Sequence, residues 1–214
     1  MFTITKKDGA TRIGILKTAH GETETPFFMP VATKATAKHL NQQQLKETGT
    51  EVFISNALIL YLTNYEMVKQ FGIHRFMNWQ SVIFTDSGGF QILRDGFLLD
   101  VEEAGVRLKN PFNGSKLLLK PEQAIEIQNN LGADVIMALD DVPNYHKHGT
   151  DFEQVKRATE RTHRWAATCK KSHDKKGQLL FGICQGGVFP ELRTESAKAI
   201  AELDFDGIAL EGFV

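Results

Sequence analysis

Short, almost wholly apolar runs recur along the chain. Each is followed by a stretch in which apolar residues return at helical spacing. The runs are Phe27 to Ala32, Val52 to Asn56, Val82 to Thr85, Val135 to Leu139, Leu179 to Ile183 and Phe205 to Leu210. A continuous apolar run predicts a strand covered on both faces, the signature of a parallel sheet. Helices are predicted over Lys38 to Thr48, Tyr65 to Phe71, from Pro121 onward, Asp151 to Lys171 and Pro190 to Glu202. Pro121 suits a first helical turn, and Phe152, Val155, Ala158 and Thr162 repeat at helical spacing. About six strand–helix units are visible, which fits part of a (β/α)₈ barrel or an open doubly wound sheet. Asp95 to Lys120 breaks the rhythm and predicts an antiparallel hairpin excursion between the third and fourth strands. No linker, repeat or low-complexity tract divides the chain, so residues 1–214 are read as one domain.

The residues at the ends of these runs matter more. The second strand ends at Asn56, the third at Asp86, the fourth at Asp140-Asp141, the fifth at Gln185-Gly186-Gly187 and the sixth at Gly212. In α/β folds the carboxyl ends of the strands carry the ligand. An amide, a carboxylate or a glycine at five successive ends therefore predicts one pocket rim. Asp86 stands out, because Ser87-Gly88-Gly89-Phe90-Gln91 comes directly after it. A carboxylate at the end of a buried strand is costly unless paired or used, and paired glycines let backbone approach a ligand. The plainer alternative is a strand-to-helix turn with Asp86 as N-cap.

Two carboxylates, two amides and glycine-exposed backbone donors suit a flat polar heterocycle. Guanine presents N1–H and N2–H₂ side by side, and one carboxylate accepts both. Asp140 fits that role. Gln185 and a backbone N–H near Gly212 fit the O6 edge, Phe90 can stack on the ring, and Asp86 is left for proton transfer or nucleophilic attack.

Bulk properties narrow the partners. The chain has 214 residues and a net charge of −1, so no global basic field announces nucleic acid. The locally basic stretch Lys156, Arg157, Arg161, Arg164, Lys170, Lys171, Lys175 and Lys176 is either a nucleic-acid phosphate contact or a solvated helix face. Two cysteines, Cys169 and Cys184, give neither a disulfide framework nor a Cys-rich zinc site. The N-terminus has no apolar signal core, and no run is long enough to span a membrane, so a cytoplasmic protein is expected. His146 and His148 with Cys169 or His173 match no standard zinc spacing, and Asp140-Asp141 point to opposite faces of a strand, so no metal site is expected here.

At these residues the chain resembles the tRNA-guanine transglycosylases, or queuine tRNA-ribosyltransferases. The resemblance is carried by His20-Gly21 with Thr25-Pro26, Phe28-Met29-Pro30-Val31, Ser55-Asn56, Thr85-Asp86-Ser87-Gly88-Gly89-Phe90-Gln91, Asn113-Gly114-Ser115-Lys116, Met137-Ala138-Leu139-Asp140-Asp141, Gly182-Ile183-Cys184-Gln185-Gly186-Gly187 and Phe205-Asp206-Gly207. It implies a (β/α)₈ barrel that exchanges a guanine in tRNA for a 7-deazaguanine through a covalent ribosyl-enzyme. It implies that Asp86 takes the proton from the incoming base, and that Ser87, Gly88 and Gly89 belong to the substrate-binding turn. By the same resemblance Asp140, Gln185 and Gly212 read the base, Phe90 stacks on it, and Asn56 and Gln91 hold the Asp86 carboxylate in the empty pocket.

The family's nucleophilic aspartate and its Cys₃His zinc site come after the point where this chain reaches Val214. The expectation is therefore a catalytic-barrel portion without cofactor of its own, two open strand edges, and no exchange by this chain alone. A homodimer or a complementary C-terminal polypeptide is the expected protein partner. Glu211-Gly212-Phe213 stands where the family has Gly-Gly before an apolar residue. Two rival readings exist. A non-catalytic tRNA- or partner-binding scaffold would not need Asp86, Phe90, Asp140 and Gln185 together. A barrel glycosidase explains the two acids but not the amides and glycines.

Overall fold

The computed structural model describes residues 1–89, 97–143 and 151–212. The strands are β1 (Phe2–Asp8), β2 (Thr11–Thr18), β3 (Gly21–Glu24), β4 (Phe53–Asn56), β5 (Ile83–Asp86), β6 (Leu98–Glu102), β7 (Gly105–Lys109), β8 (Lys116–Leu119), β9 (Val135–Met137), β10 (Leu179–Cys184) and β11 (Gly207–Leu210). The helices are α1 (Gln42–Glu47), α2 (Ala57–Thr63), α3 (Tyr65–Phe71), α4 (Ile73–Met77), α5 (Pro121–Leu131), α6 (Phe152–Ser172) and α7 (Pro190–Glu202). The fold is mixed α/β, with a five-stranded parallel sheet of order β11-β10-β9-β5-β4. Two compact units make up the chain.

The first unit comprises Met1–Asp86, Gln128–Ile136 and Lys175–Leu179. It opens with the antiparallel sheet β1-β2-β3. The apolar-run criterion passes over this sheet because β1 is exposed along its whole length and alternates Thr, Ile and Lys. Gly14 is required where the two strands touch: a Cβ there would lie 2.3 Å from the Thr3 carbonyl oxygen.

The expected first parallel strand, Phe27 to Ala32, does not form. It is joined to β4 by a single parallel bridge, Val31↔Ile54, in which Ile54 N–H donates to the Pro30 carbonyl and Ala32 N–H to the Ile54 carbonyl. Pro30, beside the bridge, has no N–H to give, so the ladder does not continue through it. β4 and β5 run in register from Phe53↔Ile83 to Asn56↔Asp86, and β5 meets β9 through Phe84↔Val135 and Thr85↔Ile136. Val52, Phe53, Leu58, Leu60, Val68, Ile73 and Ile83 are buried here, and the Phe53 and Trp79 rings meet edge-on at 4.7 Å. α2 continues from β4 without a loop because the Asn56 side chain caps it, accepting from Ile59 N–H at 2.7 Å.

The second unit comprises Ser87–Ile127, Met137–Asp174 and Leu180–Val214. Between β5 and β9 in sequence it forms the antiparallel sheet β6-β7-β8. Gly105, with φ +148°, lets β7 start against β8, since a Cβ would sit 2.3 Å from the Leu119 carbonyl oxygen. β10 and β11 pair in parallel from Phe181↔Gly207 to Cys184↔Leu210. Ala166 of α6, Cys184 of β10 and Ile200 of α7 pack together, with Leu203 and Phe205 against them. Trp165 is core, and its indole N–H donates to the Glu103 carbonyl at 2.8 Å.

Candidate active site

In the second unit, four expected site residues converge. Asp140 comes after β9, is 4 % exposed, and its Oδ2 accepts the Gln185 amide at 2.6 Å. Gln185 comes after β10 and is fully buried. Gly89 lies against the other carboxylate oxygen: a Cβ there would be 2.7 Å from Asp140 Oδ1. Gly212 comes after β11 with φ +76°, and a Cβ would fall 2.2 Å from Gln185 Oε1. Two glycines thus sit where any side chain would displace the carboxylate or the amide. Among the described residues Gln185 Oε1 has no hydrogen-bond partner, and neither has the Ser87 hydroxyl; both are buried. Buried polar atoms without partners are rare and point to a ligand or water. Gly88 and Ser87 complete the turn out of β5 and are buried.

In the first unit, Asn56 and Asp86 are directly opposite at the ends of β4 and β5, with Asp86 half-buried. The Asn56 side-chain oxygen is engaged by the N-terminus of α2. The expected stacking residue Phe90, its neighbour Gln91, and the loop histidines His146 and His148 lie outside the described residues.

Asp141 faces another way from its neighbour. Its carboxylate takes Arg161 Nη1 at 2.5 Å, and its backbone N–H donates to Thr162 Oγ1 at 2.9 Å. Burial pushes its pKa up, against the opposing pull of Arg161. That pairing and others absorb part of the basic stretch on α6 and just after it. Arg164 forks onto Glu103 at 2.5 and 3.0 Å, and Lys170 and Lys175 reach the backbone carbonyls of Asp204 and Asn129.

Sequence reasoning missed two groups. Arg193 and Ser196, on α7, grip the backbone around Gln185. Arg193 donates to the carbonyls of Gly187, Cys184 and Glu211 at 2.8, 3.1 and 2.5 Å, and Ser196 Oγ accepts Gln185 N–H at 3.1 Å. The available signal was Ser196 itself, a hydroxyl in the buried stripe Leu192, Ser196, Ile200.

The other is Asp134, just before β9 and 1 % exposed. Its Oδ1 accepts His20 N–H at 3.1 Å and lies 2.8 Å from His20 Nδ1. Its Oδ2 accepts Ile83 N–H at 2.9 Å and lies 3.1 Å from His74 Nε2. Burial alone would raise this pKa, but the contacts from His74, the Ile83 N–H and His20 overcome it and bring it to about 2. The two imidazoles stack with centroids 3.5 Å apart.

These three side chains are a metal-capable group, yet both carboxylate oxygens already accept a backbone N–H, and His74 Nδ1 faces the Trp79 carbonyl. The arrangement is that of a hydrogen-bonded latch. The cysteines do not fit zinc either. Cys169 packs under the Pro121 carbonyl with its thiol pushed up to about 12 by burial, and burial also raises Cys184. The described residues therefore do not supply the family's Cys₃His set.

Parallel strands ending in an acid, an amide and glycines that leave no room for a side chain define an α/β protein with a buried polar cluster at its strand ends. The sequence profile of the family described as Queuine tRNA-ribosyltransferase matches residues 7–214, and the chain belongs to that family. It is 48 % identical over 211 residues to a queuine tRNA-ribosyltransferase of Anoxybacillus flavithermus, covering 97 % of this chain and 55 % of the relative. It is 48 % identical over 211 residues to one of Geobacillus kaustophilus, with the same coverage. With one of Halothermothrix orenii it shares 44 % over 203 residues, 94 % of this chain and 54 % of the relative. The chain thus spans about half the length of the curated relatives it matches. Among the described residues no helix is long and apolar enough to cross a membrane.

Proposed function

We propose that this chain carries the base-reading part of a tRNA modification in which guanine is exchanged for a 7-deazaguanine, the chemistry of queuosine biosynthesis. One observation carries the reading: the Asp140 carboxylate and the Gln185 amide, 2.6 Å apart and buried, are bordered by Gly89 and Gly212 at positions closed to any side chain. The Asp140 carboxylate accepts N1–H and N2–H of the base. The Gln185 amide, with one N–H on Asp140, has a second for the O6 edge.

The target nucleotide leaves its stack to reach these groups. Asp86 takes the proton of the incoming base, Phe90 stacks on its face, and Asn56 and Gln91 steady Asp86. Attack on ribose C1′, giving the covalent ribosyl-enzyme, belongs to an aspartate that the family carries later in its sequence. The strand–helix order supports placing these residues on a (β/α)₈ barrel, with residues 1–214 as its catalytic-barrel portion and β6-β7-β8 as an insertion. The scaffold alternative gives no reason for a buried acid–amide pair fenced by glycines.

Asp140→Asn tests the reading. The change turns one acceptor into a donor facing N–H groups, and a site built to hydrogen-bond a substrate rejects such a mismatch strongly. Guanine affinity, measured by calorimetry, falls on the order of a hundredfold or more. Unchanged affinity refutes the assignment.

A further inference from the structure

Resting on that reading of the base site, we infer that Arg193 is a positioning residue that sets the O6 edge of the pocket. The ladder between β10 and β11 ends at Cys184↔Leu210, with one further bond from Glu211 N–H to the Cys184 carbonyl. Gln185 and Gly212 lie just past it, where the sheet no longer dictates the backbone.

Arg193 takes over at that point. Its Nη1 holds the Cys184 carbonyl, immediately before Gln185, and its Nε holds the Gly187 carbonyl, two residues after it. Its Nη2 holds the Glu211 carbonyl, immediately before Gly212. A guanidinium is a planar, rigid fork of donors, so one side chain fixes the two strand ends relative to each other. Gly186 makes the approach possible: with φ +128°, a Cβ there would meet the backbone nitrogen of Arg193 at 2.6 Å. Ser196, one turn along α7 and fully buried, holds Gln185 N–H from the same side.

Arg193 acts on the base through Gln185 and Gly212, and reaches Asp140 one step removed, through the Gln185 amide. Asp140 comes after β9 and receives none of these three bonds. The consequence is selective. Disturbing Arg193 weakens discrimination at O6 more than discrimination at the 2-amino group.

The test compares guanine, 6-thioguanine and hypoxanthine binding by calorimetry in the intact protein and in Arg193→Lys, Arg193→Met and Asp140→Asn. 6-Thioguanine replaces O6 by a weaker acceptor; hypoxanthine lacks the 2-amino group. Arg193→Met is expected to lower guanine affinity on the order of tenfold, about one hydrogen bond. Its preference for guanine over 6-thioguanine should shrink, and its preference for guanine over hypoxanthine should shrink less. Arg193→Lys, which retains the charge but not the fork, falls between, and it decides the matter if the Met variant does not fold. Equal losses for all three bases, or no change in the guanine to 6-thioguanine ratio while Asp140→Asn abolishes binding, overturn the role of Arg193. An Asp140→Asn protein that binds guanine as before, or an unaltered protein that binds none, overturns the underlying base site instead.

Discussion

Asp134→Asn measures how much of this fold depends on one buried acid. The side chain is 1 % exposed and takes two backbone N–H groups, from His20 and Ile83, beside two imidazole nitrogens. Its pKa of about 2, against an ordinary 3.8, corresponds to stability on the order of 2 kcal/mol at neutral pH. The sign comes from the depressed value. The contribution is complete above the unfolded-state pKa and disappears as pH falls from about 4 towards 2.

The asparagine keeps the shape but turns one acceptor into a donor that faces other donors, so a loss of roughly 3 kcal/mol at pH 7 is expected. Urea unfolding followed by far-UV circular dichroism gives the number, with an unchanged m-value confirming that the folded state is the one perturbed. Repeated at pH 3, the difference between the two proteins should shrink markedly. A loss under about 0.5 kcal/mol at pH 7, or a difference that does not narrow on acidification, would refute the latch.

Gly212→Ala should cost more than about 1 kcal/mol of stability, because the backbone there has φ +76°, and the folded variant should bind guanine on the order of tenfold more weakly or worse, because the new Cβ would overlap Gln185 Oε1; calorimetry that finds guanine affinity intact argues against Gln185 as a base contact. Arg161→Met should cost roughly 3 kcal/mol at pH 7 by leaving Asp141 buried with its charge partner gone. Because burial already raises the Asp141 pKa, the cost appears as pH rises through that raised value and fades at pH 3, where the acid is neutral; an equal cost at both pH values would show that packing, not charge, is responsible.

Several features are legible in the chain alone because they depend on neighbours in sequence. The span Pro190 to Glu202 forms α7 as expected, and the apolar runs ending at Asn56 and near Asp86, Asp140 and Gln185 form β4, β5, β9 and β10. Periodicity and turn chemistry are local, so they mark where strands stop and which residues stand at their ends. β1 to β3 are not legible in this way, because a wet, lysine-bearing strand carries no apolar run. Phe27 to Ala32 has the run but not the ladder, because Pro30 within it withholds a donor the ladder needs.

Other features were decided only by the tertiary structure. His20 and Asp134 are 114 positions apart, Gln185 and Asp140 are 45 apart, and Arg193 holds two strand ends at once. Hydrogen bonds of that kind exist only after the chain has brought a donor within about 3 Å of a distant acceptor. No spacing in the sequence encodes that approach. Sequence alone therefore supplied the acids, amides and glycines, and the fold determined which acid faces an amide, which is locked by two histidines, and which arginine ties two strand ends together.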